Sequence, residues 1–219
     1  MEVELKFLID NKLAQERILR DKHLAEIKED GTEEELCLQA TYFDTEDFDL
    51  CSRKIAFRVR MENEKPVAAL KWGGAAKDGL HIRGELNVPV EASYLKAPNI
   101  DIFEGSELYD QLRDAVGDKT LKPIMNINCM RKQMAVDTGN SISVVSLDIG
   151  EIVTDRASLP ITELEIELYS GDKDDMVRLG QELTLKYNLI PENKSKFQRG
   201  LELLGIACTW KMQNDEEMI

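Results

Sequence analysis

Charged side chains stand at alternate positions in four stretches of this sequence. Because residues two apart on a β-strand point to the same face, each stretch would present a row of charges on one side of a strand. The rows are Glu2, Glu4 and Lys6; Arg58 and Arg60; Arg83 and Glu85; and Glu163, Glu165 and Glu167. Ser146 and Asp148 form a shorter row of the same kind.

For a single row, the plain interpretation is a strand whose charged face is exposed to solvent. The row from Glu163 to Glu167 is harder to explain in that way, because three carboxylates roughly 7 Å apart repel one another and a cation would relieve the repulsion. Arginine rows on neighbouring strands favour an interior lined with both signs of charge. Mg²⁺ and Mn²⁺ take carboxylate oxygens, and arginine binds phosphate oxygens in pairs. The spacing therefore predicts a site for a polyphosphate with divalent cations.

The elements that would carry these rows are predicted from hydrophobic periodicity. Strict alternation predicts a strand over 2–9, and helical spacing of apolar residues predicts a helix over 11–28. Further strands are expected at 34–44, 54–62, 67–72, 80–90, 124–136, 141–154 and 161–169, and helices at 105–116, 173–187 and 195–204. Strands joined mostly by tight turns close into barrels or pack as sandwiches, and no βαβ alternation is present.

Composition excludes several classes of protein. The net charge of −14 argues against a broad surface for nucleic acid or an anionic membrane. No apolar run is long enough to span a bilayer, and no signal-peptide pattern follows Met1, so a cytoplasmic location is predicted. A chain of 219 residues suits one large domain, or one domain with small additions.

Cysteine, histidine and glycine patterns also limit the chemistry. The four cysteines show no CxxC spacing and are expected to be reduced thiols. The two histidines are far apart in the sequence, which argues against a histidine-based zinc site and against a Ser-His-Asp triad. The glycine-rich stretch 73–79 lacks the Lys-Ser/Thr ending of a phosphate-binding P-loop. It is predicted to be a flexible connection, with a lid over the substrate as the alternative.

The rows coincide with the motifs of a known family. Glu2-x-Glu4-x-Lys6 resembles the ExExK signature of the CYTH superfamily, the triphosphate tunnel metalloenzymes. Further landmarks follow in the family's order: Tyr42-Phe43-Asp44-Thr45, Phe57-Arg58-Val59-Arg60, Leu70-Lys71-Trp72, Gly79-Leu80-His81-x-Arg83-x-Glu85, Arg131, Leu147-Asp148-x-Gly150-Glu151, Glu163 to Leu168, and Ser195-Lys196-x-x-Arg199-Gly200. The chain looks most like the bacterial inorganic triphosphatases of that family, and it is expected to be a stand-alone catalytic domain without the helical CHAD domain that many of them carry.

The resemblance implies a mainly β fold of the α+β type, an eight-stranded antiparallel β-barrel tunnel with flanking helices. The tunnel domain would span 1–206, followed by a polar tail at 207–219. The implied activity is metal-dependent hydrolysis of tripolyphosphate or a related small-molecule triphosphate to phosphate and a diphosphate. The oligomeric state is left open, a homodimer included.

The resemblance also assigns roles to residues of this chain. The implied ligands of two Mg²⁺ or Mn²⁺ ions are Glu2, Glu4, Asp148, Glu163, Glu165 and Glu167. The implied phosphate-binding residues are Lys6, Arg58, Arg60, Lys71, Arg83, Arg131 and Lys196. The catalytic assignments are Glu4, through a metal that activates water, and Lys6, which would orient that water or bind a phosphate oxygen.

Two positions depart from the family pattern. Val144 stands where relatives often have a glutamate, and Gln133 stands where a second basic residue often follows Arg131. Either departure could change metal binding or the size of the substrate. Class IV adenylyl cyclase and thiamine triphosphatase are alternative activities, and a polyphosphate-binding module without catalysis is an alternative of another class. Because only Met1 precedes Glu2 in this sequence, the His-Phe pair typical of those cyclases is expected to be absent, which would favour hydrolysis.

Overall fold

A computed structural model describes residues 1–206 of the chain. Within them, the strands are β1 (Glu2–Leu8), β2 (Glu34–Asp44), β3 (Ile55–Glu62), β4 (Lys65–Lys77), β5 (Leu80–Pro89), β6 (Lys122–Asp137), β7 (Ser141–Val153), β8 (Ser158–Gly171) and β9 (Ile190–Pro191). The helices are α1 (Lys12–Arg17), α2 (Lys22–Ile27), α3 (Asp49–Ser52), α4 (Tyr109–Val116), α5 (Lys173–Tyr187) and α6 (Lys196–Leu204). The predicted tail at 207–219 lies outside the described residues.

Eight of the strands close into an antiparallel barrel, as the family resemblance implies. The strand order is β5-β4-β3-β2-β6-β7-β8-β1, and β1 also pairs with β5. The opening strand therefore has a neighbour on each side: Glu2 lies opposite Arg83 of β5, and Lys6 lies opposite Glu165 of β8. Because closure fixes the register on both sides of β1, acids and bases from three strands come to lie beside one another.

The apolar core lies between the outside of the barrel and the helices. Leu5 and Phe7 of β1 and Leu164 of β8 are buried in one cluster with Met176 and Leu179 of α5. A second cluster joins the outer faces of β3 and β4 to α4 and to the short 3₁₀ helix Ile100–Phe103. Since strand side chains alternate between faces, the charged rows on the opposite side of these strands face the barrel interior.

The N-terminus of α6 meets that interior. Ser195 caps the helix in a reciprocal capping box with Gln198, which fixes where the helix begins. Phe197 stacks on Tyr42 of β2 with ring centroids 5.0 Å apart. The first turn of α6 is therefore held against the barrel wall, and Lys196 is directed toward the charged rows.

Several local predictions differ from the structure. The helix expected at 11–28 is divided into α1, a 3₁₀ turn at Ile18–Arg20, and α2, because Asp21 leaves the helical conformation and accepts hydrogen bonds from the backbone N–H groups of His23 and Leu24. The glycine-rich stretch 73–79 continues β4 through a β-bulge and forms a hairpin with β5, so the prediction of a flexible connection is wrong.

The cysteines differ as well. Cys37 and Cys129 are free thiols, as expected, but Cys51 is disulfide-bonded, so the prediction of reduced thiols is wrong for that residue. Among the described residues, none of the helices is both long and apolar enough to cross a membrane.

Candidate active site

A cavity of about 170 Å³ inside the barrel is walled by charged side chains of both signs. Among the described residues, seven basic side chains line it, and they are the seven predicted to bind phosphate: Lys6, Arg58, Arg60, Lys71, Arg83, Arg131 and Lys196. Six carboxylates line it as well: Glu2, Glu4, Glu85, Asp148, Glu165 and Glu167. The walls are therefore close to electrically neutral, with acids and bases intermixed.

Arg83 joins the two carboxylates of the opening strand. Its Nε lies 2.6 Å from Glu2 Oε2, and its Nη2 lies 2.6 Å from Glu4 Oε1. Lys71 of β4 approaches Glu2 from the other side, with Nζ 2.7 Å from Oε1. Burial opposes ionisation of Glu2, but the charges of Lys71 and Arg83 outweigh it and hold the pKa of Glu2 below its ordinary value. Glu2 is thus ionised, and each of its oxygens accepts from one basic side chain.

Glu165 is the centre of the opposite wall. Its Oε1 accepts from Lys6 Nζ at 2.5 Å and from Lys196 Nζ at 2.8 Å, and its Oε2 accepts from Arg131 at 2.5 Å. Arg131 also forms a two-pronged pair with Asp148, with both contacts at 2.7 Å. Burial disfavours the charged form of Asp148, but Lys196 and Arg131 lower its pKa below the ordinary value.

Glu163 has a different environment from the other two glutamates of its row. Its side chain is fully buried and does not line the cavity. One oxygen is 2.7 Å from Lys196 Nζ, and the other accepts from Arg199 of α6. Of the six predicted metal ligands, Glu163 is therefore the one whose placement supports that role least.

Glu2, Glu85 and Glu167 form the group best arranged to hold a metal ion. Each offers a carboxylate oxygen, and the three oxygens lie within 4.8 Å of one another. An all-carboxylate donor set suits a hard cation such as Mg²⁺ or Mn²⁺ and suits zinc or copper poorly. The residues present therefore fit the metal that the charged rows predict.

The proton affinity of Glu167 reflects the same crowding of carboxylates. Desolvation by the surrounding wall and the charges of Glu2 and Glu4 raise the pKa of Glu167 to about 7, although the residue lies at an exposed position of β8. A divalent cation among these carboxylates would lower that pKa again, because it stabilises the ionised form.

Comparison with known proteins agrees with this geometry. Residues 1–201 match the family described as CYTH domain. The chain belongs to the CYTH domain family. It is 31% identical to the inorganic triphosphatase of Haemophilus influenzae over 170 residues, and these residues are 78% of this chain. The match covers 46% of that protein, so the chain spans about half the length of this relative.

Solved structures show the same fold at low sequence identity. A Hippeastrum protein studied as an adenylyl cyclase, with a dominant triphosphatase activity, superposes with a TM-score of 0.63 at 16% identity, over 97% of this chain and 100% of that one. A Bacillus halodurans protein described as a candidate adenylate cyclase superposes with a TM-score of 0.63 at 22% identity, over 91% and 96%. The barrel of this CYTH domain is thus shared with both.

Two residues that line the cavity have no role predicted from the sequence, although both belong to motifs in it. Glu85 belongs to one of the alternating rows, but the resemblance assigns a role only to Arg83 of that row. Tyr42 belongs to an aromatic landmark without an assigned role. Its side chain is buried in the cavity wall. Burial raises the pKa of Tyr42, but the charges of Arg58 and Lys71 lower it by more, so the pKa lies below its ordinary value.

The two departures from the family pattern lie together. Val144 faces Glu167 across the β7–β8 pairing, and the Gln133 side-chain amide donates to Glu34 Oε2 at 2.8 Å. Both line a second cavity of about 410 Å³, the adjoining cavity, which shares four lining residues with the first: Leu38, Arg60, Arg131 and Glu167. Its other residues include Leu36, Leu168 and Tyr169, so this end of the CYTH domain is more apolar than the interior.

Proposed function

We propose that this CYTH domain hydrolyses tripolyphosphate to orthophosphate and a diphosphate, with Mg²⁺ or Mn²⁺ as cofactor. The observation that supports this most is the cavity whose wall carries seven basic and six acidic side chains. A purely basic cavity would suit a free anion, and a purely acidic one would suit a cation. A wall of both signs suits a metal–polyphosphate complex.

Charge balance leads to the same substrate. A fully ionised tripolyphosphate carries about five negative charges, and two divalent cations cancel about four of them. The complex is then close to neutral, as the cavity wall is. Binding either component alone would leave several uncompensated charges in a poorly hydrated interior, which is costly.

The residues divide the work of the reaction. Glu2, Glu85 and Glu167 would hold a metal ion, and Glu4 lies beside this group on β1. Mg²⁺ or Mn²⁺ supplies charge neutralisation at the phosphate oxygens and lowers the pKa of water. Arginines such as Arg58 and Arg83 hold the phosphate chain in line with the attacking water, and the ammonium groups stabilise charge that develops on the phosphate oxygens.

The direct test is phosphate release from tripolyphosphate with each metal. The wild type should turn over, and Glu4→Gln and Lys6→Met should each lower kcat on the order of 10²-fold or more while the barrel stays folded by circular dichroism. Lys22→Met and Glu26→Gln are the matched controls, because this pair is exposed on α2. Background turnover by the wild type with both metals at neutral and alkaline pH would reject the proposal.

A triphosphate ester is a second candidate substrate, favoured by the adjoining cavity. Leu36, Leu38 and Val144 offer an apolar wall where the uncharged part of an ester could lie. ATP and thiamine triphosphate should therefore be compared with tripolyphosphate by kcat/KM, with cyclic AMP measured as a separate product. Tight binding of tripolyphosphate without any product would favour a binding module instead. The cytoplasmic location stays a prediction.

A further inference from the structure

The segment 190–195 consists of β9 and the residues that join it to α6, and it runs along the opening strand. Ile190 and Pro191 pair with Leu8 and Phe7 of β1. The next residue, Glu192, donates its backbone N–H to the carbonyl of Lys6 at 2.9 Å. The segment then ends at α6, so its position decides where the first turn of that helix lies.

The β4–β5 hairpin holds the same segment from the other side. The backbone N–H of Gly79 donates to Asn193 Oδ1 at 2.8 Å, and its carbonyl accepts from the backbone N–H of Lys6 at 2.8 Å. A side chain at Gly79 would meet the Lys6 carbonyl at 2.7 Å, so the hairpin tip lies directly against β1. The backbone of Lys6 is thus held at both its N–H and its carbonyl.

His81 supplies a side-chain contact to this arrangement. It is buried, with 4% of its surface exposed, and its Nε2 lies 2.8 Å from the carbonyl oxygen of Glu192. A carbonyl can only accept, so Nε2 must carry the proton and donate. Burial and the charge of Lys6 lower the pKa of His81 to about 4, so the ring is neutral near pH 7.

Two of the proposed phosphate-binding lysines depend on the contacts of this segment. Lys6 stands on the β1 backbone that the segment and the hairpin hold. Lys196 is the first residue of α6, one position beyond the capping residue Ser195. Their ammonium groups meet at Glu165 Oε1, over 2.5 and 2.8 Å. A shift of the segment would therefore change the distance between two positive charges in the cavity.

We propose that His81 is a positioning residue, whose hydrogen bond to Glu192 fixes the spacing of Lys6 and Lys196 for a triphosphate. His81 does not line the cavity, so it acts through the segment 190–195 and contacts no substrate. The inference rests on the proposed function for the identity of the ligand. The plain alternative is a buried histidine that contributes only to stability.

The test compares His81→Leu, which removes the donor, with His81→Gln, which retains one. The dissociation constant of tripolyphosphate with Mg²⁺ is measured by calorimetry, with kcat and KM beside it and a melting temperature for each variant. His81→Leu should raise the dissociation constant and KM on the order of tenfold, since a lost hydrogen bond is worth roughly that factor, and His81→Gln should restore most of the affinity. The matched control is His23→Leu, because His23 is an exposed histidine of α2 that contacts Glu182.

Asn193→Ala provides a second arm if His81→Leu does not fold. It removes the side-chain hydrogen bond between the segment and the β4–β5 hairpin, and we expect a rise of about threefold in the dissociation constant. Wild-type affinity in a folded His81→Leu protein would overturn the inference, and so would an equal loss of affinity in His81→Leu and His81→Gln. A wild type that binds tripolyphosphate without cleaving it would reject the proposed function, and the calorimetry would still decide the role of His81.

Discussion

Lys6 and Lys196 approach the same oxygen atom, Oε1 of Glu165, at distances of 2.5 and 2.8 Å. The two lysines come from opposite ends of the sequence, and Arg131 contacts the other oxygen of Glu165 at 2.5 Å. One carboxylate thus contacts three groups that are proposed to bind phosphate. A triphosphate in this cavity must compete with Glu165 for them.

Removing the charge of Glu165 should therefore separate binding from turnover. In Glu165→Gln, we expect the affinity for metal-free tripolyphosphate to rise on the order of tenfold, because three cations each lose one of their carboxylate partners. Turnover with Mg²⁺ should fall, since a predicted metal ligand is gone. Calorimetry in the presence of a chelator measures the first effect. The exposed Glu182→Gln is the control, and weaker binding of the free anion by Glu165→Gln would contradict the competition.

The carboxylate group around Glu85 makes a prediction about metal requirement. Glu85→Gln should raise the Mg²⁺ or Mn²⁺ concentration needed for half-maximal activity on the order of tenfold, as Glu2→Gln should, because both remove a ligand from the same group. A metal titration of activity, repeated as a titration of metal binding, measures the shift. Glu151→Gln, on an exposed position of β7, should leave the requirement unchanged. An unaltered requirement in Glu85→Gln would exclude this residue from the metal site.

Much of the barrel and of its charged wall could be predicted from sequence. Alternation with period two identified the strands, and strand parity put each charged row on one face. Parity cannot decide which face of a strand is the interior. Glu163 is on the inward face with Glu165, and yet it does not line the cavity. That residue is covered by Arg199 of α6, a contact between distant segments. The role of His81 could not be predicted from the sequence either, because it depends on where segment 190–195 lies.

Burial of His81 in its neutral form predicts how stability depends on pH. Burial and the charges of Lys6 and Arg83 lower its folded-state pKa to about 4 from 6.5, against the opposing effects of Glu4 and of the Glu192 carbonyl. Between these values the unfolded chain binds a proton that the folded chain does not. The contribution to stability is therefore complete above pH 6.5, falls as the pH is lowered, and is lost by about pH 4. The full effect is about 3 kcal/mol.

Urea denaturation at about pH 7.5 and about pH 5 measures this dependence. Relative to His81→Gln, the wild type should lose stability between the two conditions, because glutamine does not titrate. Glu167, whose pKa is raised to about 7, titrates with the opposite sign in the same range, but it is present in both proteins and cancels in this comparison. Asp21 titrates in a separate range: despite burial, Lys186 and Tyr187 lower its pKa to about 2, so its contribution is lost only below about pH 4. Equal slopes for the wild type and His81→Gln between pH 7.5 and 5 would show that His81 does not cause the loss.

The position of Gly84 leaves no room for a side chain beside the charged wall. It lies between Arg83 and Glu85 on β5, opposite Trp72 of β4, and a Cβ at this position would be 2.2 Å from Cε2 of the indole ring. The ring is rigid, so it or the strand must move, and Gly84→Ala should lower the free energy of unfolding by about 1–3 kcal/mol. Adding Trp72→Ala should remove most of the extra cost of Gly84→Ala, because the clash is then gone. If Gly84→Ala costs as much with Trp72 as without it, the indole is not what excludes a side chain from position 84, and the cost belongs to the strand backbone.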